Sequence, residues 1–118
     1  MPRHVDGRRV EGYDGIEQPG DFFVKYGEDR AIIAIVFAMP GFRDDSGAPM
    51  WNRINGPAST ADGPKWEVTE DADGKITVSP SLLTEWTWGE AREPRRFHGY
   101  LKAGVWEVLD DTVGAVFE

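Results

Sequence analysis

Fourteen glycines and eight prolines cut this 118-residue chain into short apolar runs. That punctuation limits the fold more than any other feature. No window longer than about ten residues keeps a helical apolar period without meeting Gly or Pro, so helix content should be low. Short apolar runs bounded by turn residues are the pattern of an all-β protein. The length suits one domain with one core. With 40% hydrophobic and 12% aromatic residues, the chain has enough apolar surface to fold without a disulfide or a metal.

Residues 1–19 are polar and turn-rich, with Gly7, Gly12, Gly15 and Pro19, and predict a polar N-terminal arm ahead of a single β domain over 20–118. "DFFVKY" (21–26) and "AIIAIVFAM" (31–39) read as two strands joined at Gly27–Arg30. The second run is apolar throughout, so both its faces should be buried; its β-branched content and the following Pro40 favour a central strand. Residues 40–64 read as a long loop, pinned to the core by Met50, Trp51 and Ile54. "KWEVT" (65–69) and "KITVS" (75–79) alternate apolar and polar around "DADG", which predicts a hairpin with Trp66, Val68, Ile76 and Val78 on its buried face. Trp86 and Trp88, two residues apart, share one face of any extended segment. "RFHGYLKAG", "VWEVLDD" and "VGAVF" supply two or three closing strands.

The chain has no cysteine, which removes disulfides, thiol nucleophiles and cysteine-ligated zinc. "MPRHVDGRRVEGYDG" has no apolar signal-peptide core, and the run 31–39 is too short to cross a bilayer; the expectation is a soluble protein. A net charge of −8 disfavours direct nucleic-acid binding. The acidity suits simple solubility, or an acidic inhibitor of an enzyme that handles nucleic acid.

Motifs with chemistry are sparse. Asp71, Asp73 and Gly74 resemble the start of a calcium loop, but its later ligands are missing. His4 and His98 lie far apart and no local spacing demands a metal; no cofactor is expected. No glycine-rich loop opens a strand–helix unit to hold phosphate. Ser79 and Ser81 flank Pro80 outside any nucleophile-elbow sequence. His98 can serve either serine as base, with Glu85 or Glu90 as orienting carboxylate. Pro80 lacks an N–H, so it ends ladder pairing or marks an edge or bulge. This predicts a strand corner at 79–81 that lies close to the segment 86–98.

Two segments carry a resemblance. Thr77-Val78-Ser79-Pro80-Ser81-Leu82 and Phe97-His98-Gly99-Tyr100-Leu101-Lys102-Ala103-Gly104-Val105-Trp106 are similar to motifs of small bacteriophage- and prophage-encoded β-rich proteins. The likeness spans roughly residues 31–106. Members of that group often carry cysteines after the apolar strand and directly before the histidine. Here Met39-Pro40-Gly41-Phe42 and Phe97 stand in those places, so a cysteine metal site is not carried over. The resemblance implies a phage origin and a β-rich scaffold rather than an activity.

The sequence therefore predicts an all-β fold, a small sandwich or partly open barrel of about six or seven strands with a polar N-terminal arm. The leading expectation is a non-enzymatic interaction protein of phage origin, a virion component or an accessory factor in the host cytoplasm, docking on a phage or host protein. A serine/histidine hydrolase and an acidic inhibitor of a host enzyme are the alternatives. The candidate binding residues are Trp51, Ser79, Ser81, Trp86, Trp88, Arg95, Arg96 and His98, since Trp and Arg most often dominate protein interfaces.

Overall fold

The computed structural model describes residues 2–117 as a sandwich of two sheets, with no closed barrel. Nine strands are present among the described residues: β1 (Arg3–Asp6), β2 (Arg8–Arg9), β3 (Asp21–Tyr26), β4 (Ile32–Arg43), β5 (Pro49–Asn55), β6 (Glu67–Glu70), β7 (Ile76–Trp88), β8 (Glu93–Lys102) and β9 (Val105–Val108). The larger sheet has the order β1-β9-β8-β7-β6 and is antiparallel throughout. The smaller has the order β2-β3-β4-β5, with β2 parallel to β3. Among the described residues, helix is limited to single 3₁₀ turns at Tyr13–Gly15 and Glu28–Arg30.

The strand count exceeds the six or seven expected, and the surplus lies in two places. In the first, the segment read as an arm gives one edge strand to each sheet. It crosses between them at Gly7, whose N–H bonds to the Gly104 carbonyl at 2.9 Å. A Cβ at Gly7 would stand 2.6 Å from that oxygen and 2.9 Å from the Phe22 ring, so only glycine lets the chain cross there. In the second, part of the expected loop 40–64 is the strand β5. Met50 and Ile54 face the core as expected, and Trp51 faces the other way with 45% of its surface exposed. Asn52 breaks the apolar alternation because it faces inward and donates to the Thr84 hydroxyl on the opposite sheet.

The core between the sheets is built on Trp106, which is fully buried. Its ring lies 5.2 Å from Phe37, 5.9 Å from Phe97 and 6.3 Å from Phe22 (centroid distances), and its indole N–H reaches the Gly20 carbonyl at 2.8 Å. Burying each such ring contributes about 1.5–3 kcal/mol. β4 is buried on both faces as its sequence predicts: Ile35, Phe37 and Met39 join this core, while Val36 and Ala38 pack with Phe23 and Ile16 on the outer side. The hairpin β6–β7 pairs Val68 with Val78 and Thr69 with Thr77. Val68, Ile76 and Val78 are buried, and Trp66 packs half-buried at the core's rim.

The N-terminal segment is held by charge as well as by the packing of Val5, Val10 and Ile16. Asp21, fully buried, accepts from Arg8 Nε at 3.0 Å and Nη2 at 2.6 Å, and from the amides of Glu17 and Gln18 at 3.0 and 3.1 Å. Burial pushes its carboxyl up, but these hydrogen bonds outweigh it and hold the pKa below the usual value.

Candidate functional site

Proline 80 does not end its strand. β7 continues through a cis Ser79–Pro80 bond, and its register to β8 shifts between Val78 and Leu82. The pairs Val78–Leu101 and Leu82–Gly99 leave three residues of β7 opposite Tyr100 alone. This is a bulge, where a residue without an N–H costs no ladder bond. β6 pairing stops at Ser79, so Pro80 also has no partner on that side. The Trp66 indole donates to the Ser81 carbonyl at 3.2 Å and fixes the far side of the bulge.

The bulge aims Ser81 at His98. Its Oγ lies 3.1 Å from His98 Nε2, and His98 Nδ1 lies 2.9 Å from both carboxylate oxygens of Asp111. Asp111 comes from the loop after β9. That loop leaves the edge of β8 after the Gly99–Val108 pair and rejoins it where Val113 bridges to Arg96. Within it Thr112 Oγ1 accepts the His98 N–H and donates to the His98 carbonyl, both at 3.1 Å, and the Leu109 N–H reaches the same carbonyl at 2.8 Å. Backbone and ring of His98 are thus held by one five-residue stretch, 109–113.

The charges fix the tautomer. The His98 hydrogen bond holds the Asp111 carboxyl below its usual pKa; partial burial opposes this, and the charge of Arg96, 3.7 Å away, adds to it. An ionised carboxylate only accepts, so the ring proton sits on Nδ1. When neutral, the ring then offers the Nε2 lone pair to the Ser81 hydroxyl. This is the arrangement of nucleophile, general base and orienting carboxylate used in acyl transfer.

Glu85 and Glu90, the carboxylates suggested by sequence, do not take the orienting role. Glu85 pairs with Arg96 Nη2 at 3.1 Å, and Glu90 lies exposed in the β7–β8 turn. Asp111 was missed because "LDDTV" reads as a turn and lies 13 residues beyond His98; only the strand pairing of β8 with the tail brings it back.

The other candidates divide by the pleat. Arg96 and His98 face outward with Leu83, which pairs with His98 in register. Trp86, paired with Arg95, faces inward, where its ring meets Phe42 at 5.0 Å. Trp88 and Arg95 line a cleft on that side. The candidate Trp, Arg and His residues of β7 and β8 are therefore divided between the two faces of one sheet. Ser79 is exposed within the bulge, and Trp51 stacks on Tyr13 at 5.5 Å on the outer face of the other sheet. Among the described residues no three His, Asp or Glu side chains converge to hold a metal ion, and no helix is long and apolar enough to cross a membrane. No protein-family model, curated protein or solved structure matches this chain.

Proposed function

We propose that the chain is a serine hydrolase acting on acyl esters accessible to an open sheet face. Ser81 is the nucleophile, His98 the general base and Asp111 the orienting carboxylate. The reading rests on one observation, the continuous chain of hydrogen bonds from Ser81 Oγ through the His98 ring to Asp111. In the reaction Ser81 Oγ bonds to the acyl carbon as its proton passes to Nε2. The leaving alcohol takes that proton. Water, deprotonated by His98, then adds to the acyl carbon, and Ser81 departs with its proton restored. Asp111 keeps half of its side chain in solvent, so the field at the site is weaker than in an enclosed pocket and turnover should be modest.

The test is hydrolysis of p-nitrophenyl acetate. Ser81→Ala and His98→Ala should fall to the uncatalysed rate and Asp111→Asn should lose about 10²-fold or more, while Ser79→Ala keeps the wild-type rate. Equal rates for wild type and Ser81→Ala would make the hydrogen-bonded chain a staple that pins residues 109–113 to the sheet.

A second reading, a non-enzymatic docking protein, is favoured by Leu83. Its side chain is half exposed on the same outer face as Arg96 and His98, which adds apolar area beside an arginine, a residue type enriched at interfaces. The resemblance to phage proteins supports a phage or host protein as partner, in the virion or the host cytoplasm. Leu83→Asp should abolish co-purification of that partner and leave the melting temperature within about two degrees of wild type.

A further inference from the structure

A cleft of about 600 Å³ opens at one end of the sandwich, within the size range of small-molecule sites. Its walls include Trp86 and Trp88 of β7, Arg95 of β8, Arg3 of β1 and Arg43 of β4. The sign of its charge is opposite to that of the whole chain. Among the described residues that line it, three arginines stand with a single acidic residue, Asp6, in a protein of net charge −8. Arg95 is paired with Glu93 at 3.1 Å. Among the described residues neither Arg3 nor Arg43 has a carboxylate within ion-pair distance.

The arginines are also positioned. The Arg3 guanidinium lies 4.5 Å from the centre of the Phe117 ring, Arg43 donates to the Gly47 carbonyl at 2.8 Å, and the Arg95 stem runs against Gly114. At Gly114, with φ of +90°, a Cβ would stand 2.1 Å from Arg95 Cδ, so the glycine makes room for that stem.

We propose that this cleft binds a phosphomonoester carried on a planar aromatic ring, the ring against Trp86 and Trp88 and the phosphate among Arg3, Arg43 and Arg95. Guanidinium forks match phosphate oxygens, and a doubly charged phosphate suits several cations better than a single carboxylate does. Indole faces take flat rings by offset stacking. A nucleoside monophosphate and an aryl phosphate share this chemistry. The cleft is on the inner side of the larger sheet, opposite Ser81 and His98, so this inference is independent of the hydrolase reading.

Calorimetric titration of the full chain with adenosine monophosphate, phenyl phosphate, adenosine and inorganic phosphate tests it. At least one of the two aromatic phosphates should bind saturably. Adenosine and inorganic phosphate should each bind about tenfold more weakly or worse. Tighter binding of the nucleotide identifies a nucleotide site, and tighter binding of phenyl phosphate an aryl phosphate site. Arg43→Gln, at an exposed position, should keep the wild-type melting temperature and weaken the aromatic phosphates about fivefold or more, and added salt should weaken them further. The proposal is overturned if neither aromatic phosphate binds at millimolar concentration, if inorganic phosphate binds equally well, or if Arg43→Gln and Arg95→Gln both bind as wild type.

Discussion

Trp106 joins the two sheets, and its removal should be the most costly single change in the chain. The side chain is fully buried, touches aromatic rings from both sheets and donates the hydrogen bond to Gly20. Trp106→Ala loses the transfer free energy of the ring and leaves a cavity, about 3–5 kcal/mol together. Each lost ring pair can add about 0.5–1.5 kcal/mol. A domain of this size has a total stability on the order of 6–18 kcal/mol, so the variant should sit near the edge of folding. Trp106→Phe keeps most of the packing but orphans the Gly20 carbonyl, at a cost of about 1–3 kcal/mol. Urea unfolding followed by circular dichroism measures both. The packing account fails if Trp106→Ala costs less than about 1 kcal/mol, or if Trp106→Phe is as stable as wild type.

Asp21→Ala removes an acceptor of four hydrogen bonds but leaves Arg8 half exposed and free to rehydrate, so about 2–3 kcal/mol should be lost at neutral pH. Because the folded pKa of Asp21 lies below its ordinary 3.8, its stabilisation is complete above that value and vanishes as pH falls through the folded one. Acid titration of the two proteins' stabilities should therefore close the gap between them. Gly7→Ala drives a methyl into the Gly104 carbonyl and should lower stability by about 1–3 kcal/mol in the same urea experiment. Trp51→Ala removes an exposed ring stacked only on the rim of the fold and should cost within about 1 kcal/mol.

The hairpin β6–β7 and the pair β3–β4 were legible because period and turn chemistry agree along continuous stretches. β5 was not, since one of its inward positions is Asn52, satisfied across the sandwich by Thr84. The structure of the N-terminal segment was hidden for a related reason. Charge and backbone bonds to Asp21 hold much of it, and these leave no apolar pattern to read. At the candidate site the sequence marked Ser81 and His98 as a possible pair, and the bulge at Pro80 brings them together. It did not mark Asp111, whose place depends on where the tail rejoins β8. Arg95 and Arg96 are both candidate binding residues by type, but as neighbours in one strand they point to opposite faces.

The central claim is that the Ser81 hydroxyl is activated by His98. Labelling with a fluorophosphonate, mapped by mass spectrometry, tests it most directly. The account predicts one label per chain, on Ser81, in wild type and in Ser79→Ala. It predicts none in His98→Ala and slower labelling in Asp111→Asn, with circular dichroism unchanged in all three variants. Labelling of Ser81 no faster than that of Ser46 or Ser79, or labelling that survives His98→Ala, would contradict it.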